Sequence, residues 1–179
     1  AGDATALADT AGDWSFDATG AILAHGGHDL TATATDVAGN TSPASAAFQV
    51  TVEAPDIRLL GLGREIHDDD ASPSLADGTN FGNADVAGGQ VTRTFTIQNV
   101  GNAALTLTGT PRVTVTGPAA GDFTVLLQPD SPLDPADSTT FQVVFDPSGL
   151  GWRSATIEIA DDDLDETPYD FAIRGQGVE

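Results

Sequence analysis

Apolar and polar residues alternate with a period of two through most of the chain beyond residue 90. Phe95 and Ile97 are separated by Thr96. The same alternation recurs in segments 105–108, 113–115, 123–127, 141–145, 157–159 and 169–173. Successive side chains of a strand point to opposite faces, so each segment predicts a strand with one buried face and one solvated face.

The segments between these predicted strands are rich in turn-forming residues. Gly117-Pro118 and Asp146-Pro147 are two examples, and both dipeptides favour a reversal of the chain. No stretch of twelve residues has the periodicity of an amphipathic helix. Short strands separated by frequent turns predict an all-β fold built as a β-sandwich.

Composition excludes several classes of function. The 179 residues carry a formal net charge of −21, which disfavours nucleic acid and anionic membranes as partners because both are negatively charged. The absence of cysteine excludes disulfides, thiolate nucleophiles and zinc–thiolate sites. No apolar run approaches the roughly 20 residues of a membrane-spanning helix, so membrane insertion is not expected.

A domain boundary is predicted near Glu53-Ala54-Pro55, because proline removes a backbone donor and interrupts a strand. This divides the chain into residues 1–54, with three predicted strands at 13–17, 29–36 and 44–52, and residues 55–179, with about eight. An immunoglobulin-like (Ig-like) sandwich needs about seven strands. The first part is therefore incomplete, either because its preceding strands have been cut away or because another chain supplies them.

Residues 12–52 resemble the C-terminal half of the bacterial Ig-like repeats found in tandem in surface adhesins. The most specific match is the turn Asp36-Val-Ala-Gly-Asn40, followed by the strand Ala47-Phe-Gln-Val-Thr-Val52. Asp36 is suited to accept local backbone N–H bonds, while Gly39 and Asn40 tolerate a positive φ.

Residues 56–177 resemble the choice-of-anchor D domain of exported bacterial proteins, which is related to hydin-type Ig-like modules. The matching segments are Asp77-Gly-Thr-Asn-Phe-Gly82, Phe95-Thr-Ile-Gln-Asn-Val-Gly-Asn102, Leu105-Thr-Leu-Thr108, Phe141-Gln-Val-Val-Phe-Asp-Pro147 and Phe171-Ala-Ile-Arg-Gly-Gln-Gly177. The resemblance implies an Ig-like β-sandwich in a secreted or cell-surface protein. It implies no catalytic residue.

Two acidic clusters are the candidate metal sites. One contains Asp161, Asp163 and Asp165, with the D-x-D-x-D spacing that opens a calcium-binding EF-hand loop. Glu166, however, occupies the place of the required glycine, and no flanking helix is predicted. The other cluster includes Asp68 and Asp70. An acidic turn in solvent is the favoured interpretation of each cluster, and bound calcium is the alternative. The resemblance to adhesin repeats adds the Pro55–Asp56 linker as a third place for calcium.

Other candidate residues carry weaker signals. His25 and His28 flank a Gly-Gly pair that is predicted to form the turn before a strand and not a metal site. His67 adjoins three aspartates and is predicted to lie in a solvated loop. Trp14 is expected in packing. Trp152 is expected in a loop, either folded over the end of the sandwich or exposed as a platform for a glycan. Because no G-x-S-x-G motif is present and serine, histidine and aspartate are unlinked, no enzyme is predicted.

These observations predict a structural module of an extracellular bacterial protein, either an adhesin-stalk spacer or a filament subunit. Its partners would be neighbouring Ig-like modules of the same or an identical chain. Calcium would stiffen the module by neutralising carboxylates. The alternative is a module that binds a glycan or a surface through its loops.

Overall fold

The computed structural model describes residues 5–11, 13–15, 23 and 26–179. The chain divides into two compact units, Ala1–Val52 and Glu53–Glu179. In the described residues the regular structure is β-strand, apart from one short 3₁₀ helix at Ala120–Asp122, so the predicted all-β fold class is confirmed. None of the described helical segments is long and apolar enough to cross a membrane.

The first unit contains two strands in its described part, β1 (Gly26–Leu30) and β2 (Phe48–Val52), which pair antiparallel. The strand predicted at 13–17 is wrong for residues 13–15, which are not in a strand, and residues 16 and 17 lie outside the described residues. The strand predicted at 29–36 ends early. Side-chain oxygens replace part of its ladder, since the N–H groups of Ala32 and Ala34 donate to Ser45 Oγ and Ser42 Oγ.

The turn after this segment has the expected chemistry. Asp36 Oδ1 accepts the N–H groups of Ala38 and Asn40, both at 2.9 Å, and Gly39 has a φ of +90°. Asn40 contributes through its side-chain amide, which donates to Asp36 Oδ2, and not through a positive φ. The Asn40 hydrogen bonds lower the pKa of Asp36, because they favour its charged form.

The second unit is a sandwich of two sheets. Its nine strands are β3 (Ile57–Gly61), β4 (Arg64–Ile66), β5 (Asn80–Asp85), β6 (Val91–Asn99), β7 (Val113–Thr116), β8 (Phe123–Leu127), β9 (Ser138–Phe145), β10 (Gly151–Ile159) and β11 (Tyr169–Val178). One sheet has the order β4-β3-β6-β9-β8 and the other the order β5-β11-β10-β7. Neighbouring strands are antiparallel except β5 and β11, which are parallel.

The alternating segments lie in strands β6 to β11, with one exception. Leu105 and Leu107 each form an isolated bridge, to Leu133 and to Asp161 respectively. The predicted strand at 105–108 is therefore wrong, because these two residues pair with different partners and no continuous ladder develops. Strands β3 and β4 are joined by a short turn, since β3 ends at Gly61 and β4 begins at Arg64.

Aromatic side chains fill the space between the two sheets. Phe95 of β6 stacks on Phe141 of β9 with ring centroids 5.2 Å apart, and it also meets Phe171 of the opposite sheet at 5.6 Å. Phe145 stacks on Phe123 at 4.8 Å. All five rings are buried, so this cluster supplies much of the apolar surface that the unit removes from water.

The two ends of the second unit lie at opposite poles of the sandwich. The first strand residue, Ile57, donates its N–H to Asp163 in the loop that precedes β11. Strand β11 then runs for ten residues to Val178, a length of about 30 Å. The chain consequently enters the unit at one pole and leaves it at the other.

Candidate functional site

The loop between β10 and β11 (residues 160–168) is anchored to the beginning of β3 through Asp163. Asp163 Oδ2 accepts the Ile57 N–H at 3.0 Å, and the Asp163 N–H donates to Asp161 Oδ1 at 2.9 Å. Both aspartates are buried. Because β3 and β10–β11 belong to different sheets, this side chain connects the two sheets at one pole.

Three carboxylates meet at this point. One side-chain oxygen each of Asp56, Asp163 and Glu166 lies within 4.8 Å of the other two. Asp163 is 2% exposed, Glu166 is half-buried and Asp56 is exposed. We call these three residues the carboxylate cluster; it is the one group of three or more potential metal ligands in the described residues.

Two buried carboxylate oxygens beside the loop have no hydrogen-bond partner, Asp163 Oδ1 and Asp161 Oδ2. Buried polar atoms are nearly always paired, because an unpaired one loses its hydration without compensation. Asp163 is therefore satisfied on one oxygen, by Ile57, and unsatisfied on the other.

The electrostatic environment is strongly negative. Burial, followed by the charges of Asp163 and Asp56, raises the pKa of Glu166 to about 7. Burial also raises the pKa of Asp161 to about 7, and burial with the neighbouring Asp165 carboxyl raises the pKa of Asp163. Each shift has the same physical cause, since negative charge is costly where water is excluded and other carboxylates are close.

The remaining predicted metal residues are placed differently. Asp68 Oδ1 accepts the Asp170 N–H at 2.7 Å, and Asp70 Oδ1 accepts the Ser72 N–H at 2.8 Å. These two carboxylates thus support the backbone beside β11. Asp165 is exposed, and its charge acts on Asp163 and Glu166. Of the five predicted ligands, Asp163 is the one that belongs to the carboxylate cluster.

None of the described histidines or tryptophans is a member of the carboxylate cluster. His67 faces Glu65 at 3.5 Å, His28 lies in β1 opposite Val50, and His25 is outside the described residues. Trp14 is 59% exposed, so its expected role in packing is not seen in the described residues.

Trp152 lies in strand β10 and not in a loop, which corrects the prediction. It is 55% exposed and does not fold over the end of the sandwich. Strand β10 begins at the residue before Trp152, Gly151, which has a φ of +93°. The Arg174 guanidinium lies 4.5 Å from the centroid of the Trp152 indole. This cation–π contact holds the side chain over the strand surface.

Two open depressions, of about 410 Å³ and 400 Å³, are lined by residues between positions 107 and 128. Both share Pro111 and Gln128, and neither includes Trp152 or the carboxylate cluster. They therefore provide no concave site for the exposed indole.

Two sheets packed around an aromatic core define the class of the protein as an Ig-like β-sandwich. The chain belongs to the HYDIN/CFA65/VesB-like Ig-like domain family, whose model matches residues 74–176. A bacterial Ig-like domain model matches residues 1–54. The resemblances to hydin-type and bacterial Ig-like modules are thereby confirmed. Domains of these families are typically non-catalytic, and bacterial Ig-like domains commonly occur in exported proteins.

Several solved structures are similar to the chain. A protein of unknown function from Porphyromonas gingivalis W83 aligns with a TM-score of 0.49 and 18% identity, over 86% of this chain and 67% of its own. The Vibrio cholerae VesB protease aligns with a TM-score of 0.41 and 23% identity, over 62% of this chain and 31% of its own. PapD-like domain 7 of human CEP192 aligns with a TM-score of 0.39 and 16% identity, over 70% and 85%. The comparison with curated proteins gave no significant match.

Proposed function

We propose that this chain is a structural module of an extracellular, surface-exposed bacterial protein, and that its second unit is a rigid spacer. The observation that carries the proposal is the position of the ends of that unit, with Ile57 at one pole of the sandwich and Val178 at the other. Modules joined through such ends extend a chain along the strand direction and do not fold it back. The role is mechanical and needs no catalytic residue.

The hydrogen bonding of β11 supports this mechanical role. Strand β11 pairs with β10 along nine residues and with β5 on its other side. A force applied between the two poles acts along β11, so it loads many hydrogen bonds at the same time. A spacer under tension benefits from this arrangement because no single bond carries the load.

Single-molecule force measurements test the spacer. We expect a distinctly higher unfolding force when the chain is pulled through residues 53 and 179 than when it is pulled through residues 151 and 178. Gly151 pairs with Gly177 at one end of the β10–β11 ladder, so the second geometry opens that ladder one bond at a time. Equal forces in the two geometries would contradict a mechanical role.

The first unit exposes apolar side chains that strands from a partner module would cover. Its two described strands leave Phe48 70% exposed and Leu30 47% exposed. A two-stranded sheet is marginally stable by itself in water. We therefore propose that strands outside residues 1–54 complete this unit, either from the same polypeptide in a stalk or from an identical neighbour in a filament. The filament version requires head-to-tail contacts that do not close into a ring.

Light scattering distinguishes these two versions. For a filament subunit, the solution mass of the 179-residue chain is expected to grow with concentration into long species, because each copy completes the next. For a stalk spacer, the mass stays that of a monomer at every concentration. A closed dimer of fixed mass would contradict both versions, since it would require a symmetric contact. Repeating the measurement with calcium and with chelator shows whether a cation supports the joint.

A glycan-binding module remains the second candidate, and the exposed Trp152 is the observation that favours it. Arg174 already covers the indole at 4.5 Å, and neither of the two depressions described above includes it. A flat, partly covered ring is a weaker platform than an indole in a groove, so the spacer remains the preferred function.

A further inference from the structure

The carboxylate cluster differs from an acidic turn in solvent in one respect. Asp163 is 2% exposed, and its Oδ1 has no hydrogen-bond partner while its carboxylate lies within reach of Asp56 and Glu166. Its other oxygen is held by the Ile57 N–H, so the side chain cannot turn outward without losing that bond. A buried acceptor held in place in this way is suited to receive a positively charged group.

Within residues 53–179, Arg153 pairs with Asp122 and His67 pairs with Glu65. Neither pair includes a member of the carboxylate cluster. Asp165 and Asp68 add further negative charge to the surroundings of Glu166. A cation from solution would supply positive charge at this position.

The spacing of the oxygens suits calcium. Calcium binds oxygen at about 2.3–2.6 Å, so two oxygens on opposite sides of one ion lie about 5 Å apart. The cluster oxygens lie within 4.8 Å of one another, which is close to the separation that one shared ion requires. Magnesium binds at about 2.0–2.1 Å and requires strict octahedral geometry, which a loop and a strand end are less suited to provide.

We propose that Asp56, Asp163 and Glu166 bind one calcium ion, with water completing its coordination. Asp163 contributes Oδ1 and keeps Oδ2 on the Ile57 N–H. Because Asp56 precedes β3 and the other two residues lie between β10 and β11, the ion links the two sheets at the pole where the chain enters. The proposal concerns the second unit alone and does not depend on the spacer function.

Calorimetric titration of the chelator-treated 179-residue chain with calcium, in about 0.15 M salt, tests the site. We expect one site in the native chain. Glu166→Gln and Asp56→Asn each remove one charged ligand and are expected to weaken binding about tenfold or more. The matched control is Asp162→Asn, which removes one charge from the same loop outside the cluster and whose amide oxygen still accepts the Thr106 N–H. Its effect is expected to stay below about twofold.

Thermal unfolding provides a second readout. Calcium at a hundred times its dissociation constant is expected to raise the melting temperature of the native chain by roughly 10 °C. In chelator, Glu166→Gln is expected to melt at or above the native temperature, because it removes a repulsive charge. The same calcium concentration should raise its melting temperature by about half as much as that of the native chain, or less. The native chain would then melt above Glu166→Gln in calcium but not in chelator. Loss of a purely structural side chain would lower the melting temperature in both conditions.

Three results would overturn the proposal. The first is a native chain with neither binding heat nor a melting shift at about 5 mM calcium, which exceeds the affinity range of extracellular calcium modules. The second is equal weakening by Glu166→Gln and Asp162→Asn, which would indicate diffuse attraction to the net charge of −21. The third is equal affinity for magnesium, which would exclude a site selective for calcium.

Discussion

Replacing Phe95 by alanine is expected to lower the free energy of unfolding of the second unit by about 3–5 kcal/mol. Phe95 is fully buried, and its ring meets Phe141 at 5.2 Å and Phe171 at 5.6 Å. Since Phe171 belongs to the opposite sheet, the substitution opens a cavity between the two layers. The neighbouring rings are held by their own strands and can fill that cavity only in part.

Urea denaturation followed by circular dichroism measures this loss. Phe48→Ala is the matched control, because it makes the same chemical change at a side chain that is 70% exposed, and its effect is expected to stay within about 1 kcal/mol. If Phe95→Ala does not fold, Phe95→Leu retains more volume and should show a smaller loss of the same sign. A loss below about 1 kcal/mol in Phe95→Ala would contradict the packing described for the core.

Gly175→Ala is the second substitution with a large expected effect, a destabilisation of about 3 kcal/mol. A Cβ at this position would lie 2.3 Å from Cε1 of Phe145, well inside van der Waals contact. Phe145 cannot move away easily because its ring is stacked on Phe123 at 4.8 Å and meets Phe81 at 6.1 Å. Glycine at this point of β11 allows the aromatic ring of the opposite sheet to lie against the strand backbone.

Gly121→Ala serves as the control for this prediction. A Cβ at Gly121 meets no atom within 4 Å, so the free energy of unfolding is expected to change by less than about 0.5 kcal/mol. Both variants add one methyl group, and the comparison therefore isolates the clash. If the two variants were equally stable, Phe145 would not lie against the β11 backbone as described.

Alternation along the sequence was sufficient to predict the strands whose two faces differ. Phe95 and Ile97 in β6, like Phe171 and Ile173 in β11, face the core at every second residue, because side chains of a strand point alternately to its two faces. Strands β3, β4 and β5 were not predicted. The segment Ile57–Gly61 contains adjacent leucines, and Arg64–Ile66 has only three residues, so neither shows a clear period of two.

The sequence pointed to only some members of the carboxylate cluster. The acidic run 161–166 suggested Asp163, and the resemblance to adhesin repeats drew attention to the linker that contains Asp56. Glu166 counted against a metal site, since it stands where an EF-hand loop requires glycine. In the folded chain it is Glu166, together with Asp56, that lies beside Asp163.

The sequence by itself determined the all-β class, the Ig-like family and the side of each alternating strand that is buried, because these depend on residues close together in the chain. Only the tertiary structure decided which carboxylates meet and which remain in solvent. Asp56 and Asp163 are 107 positions apart, and they become neighbours because β3 and the β10–β11 loop reach the same pole from different sheets. Contacts of that kind depend on how the sheets pack, which no local pattern encodes.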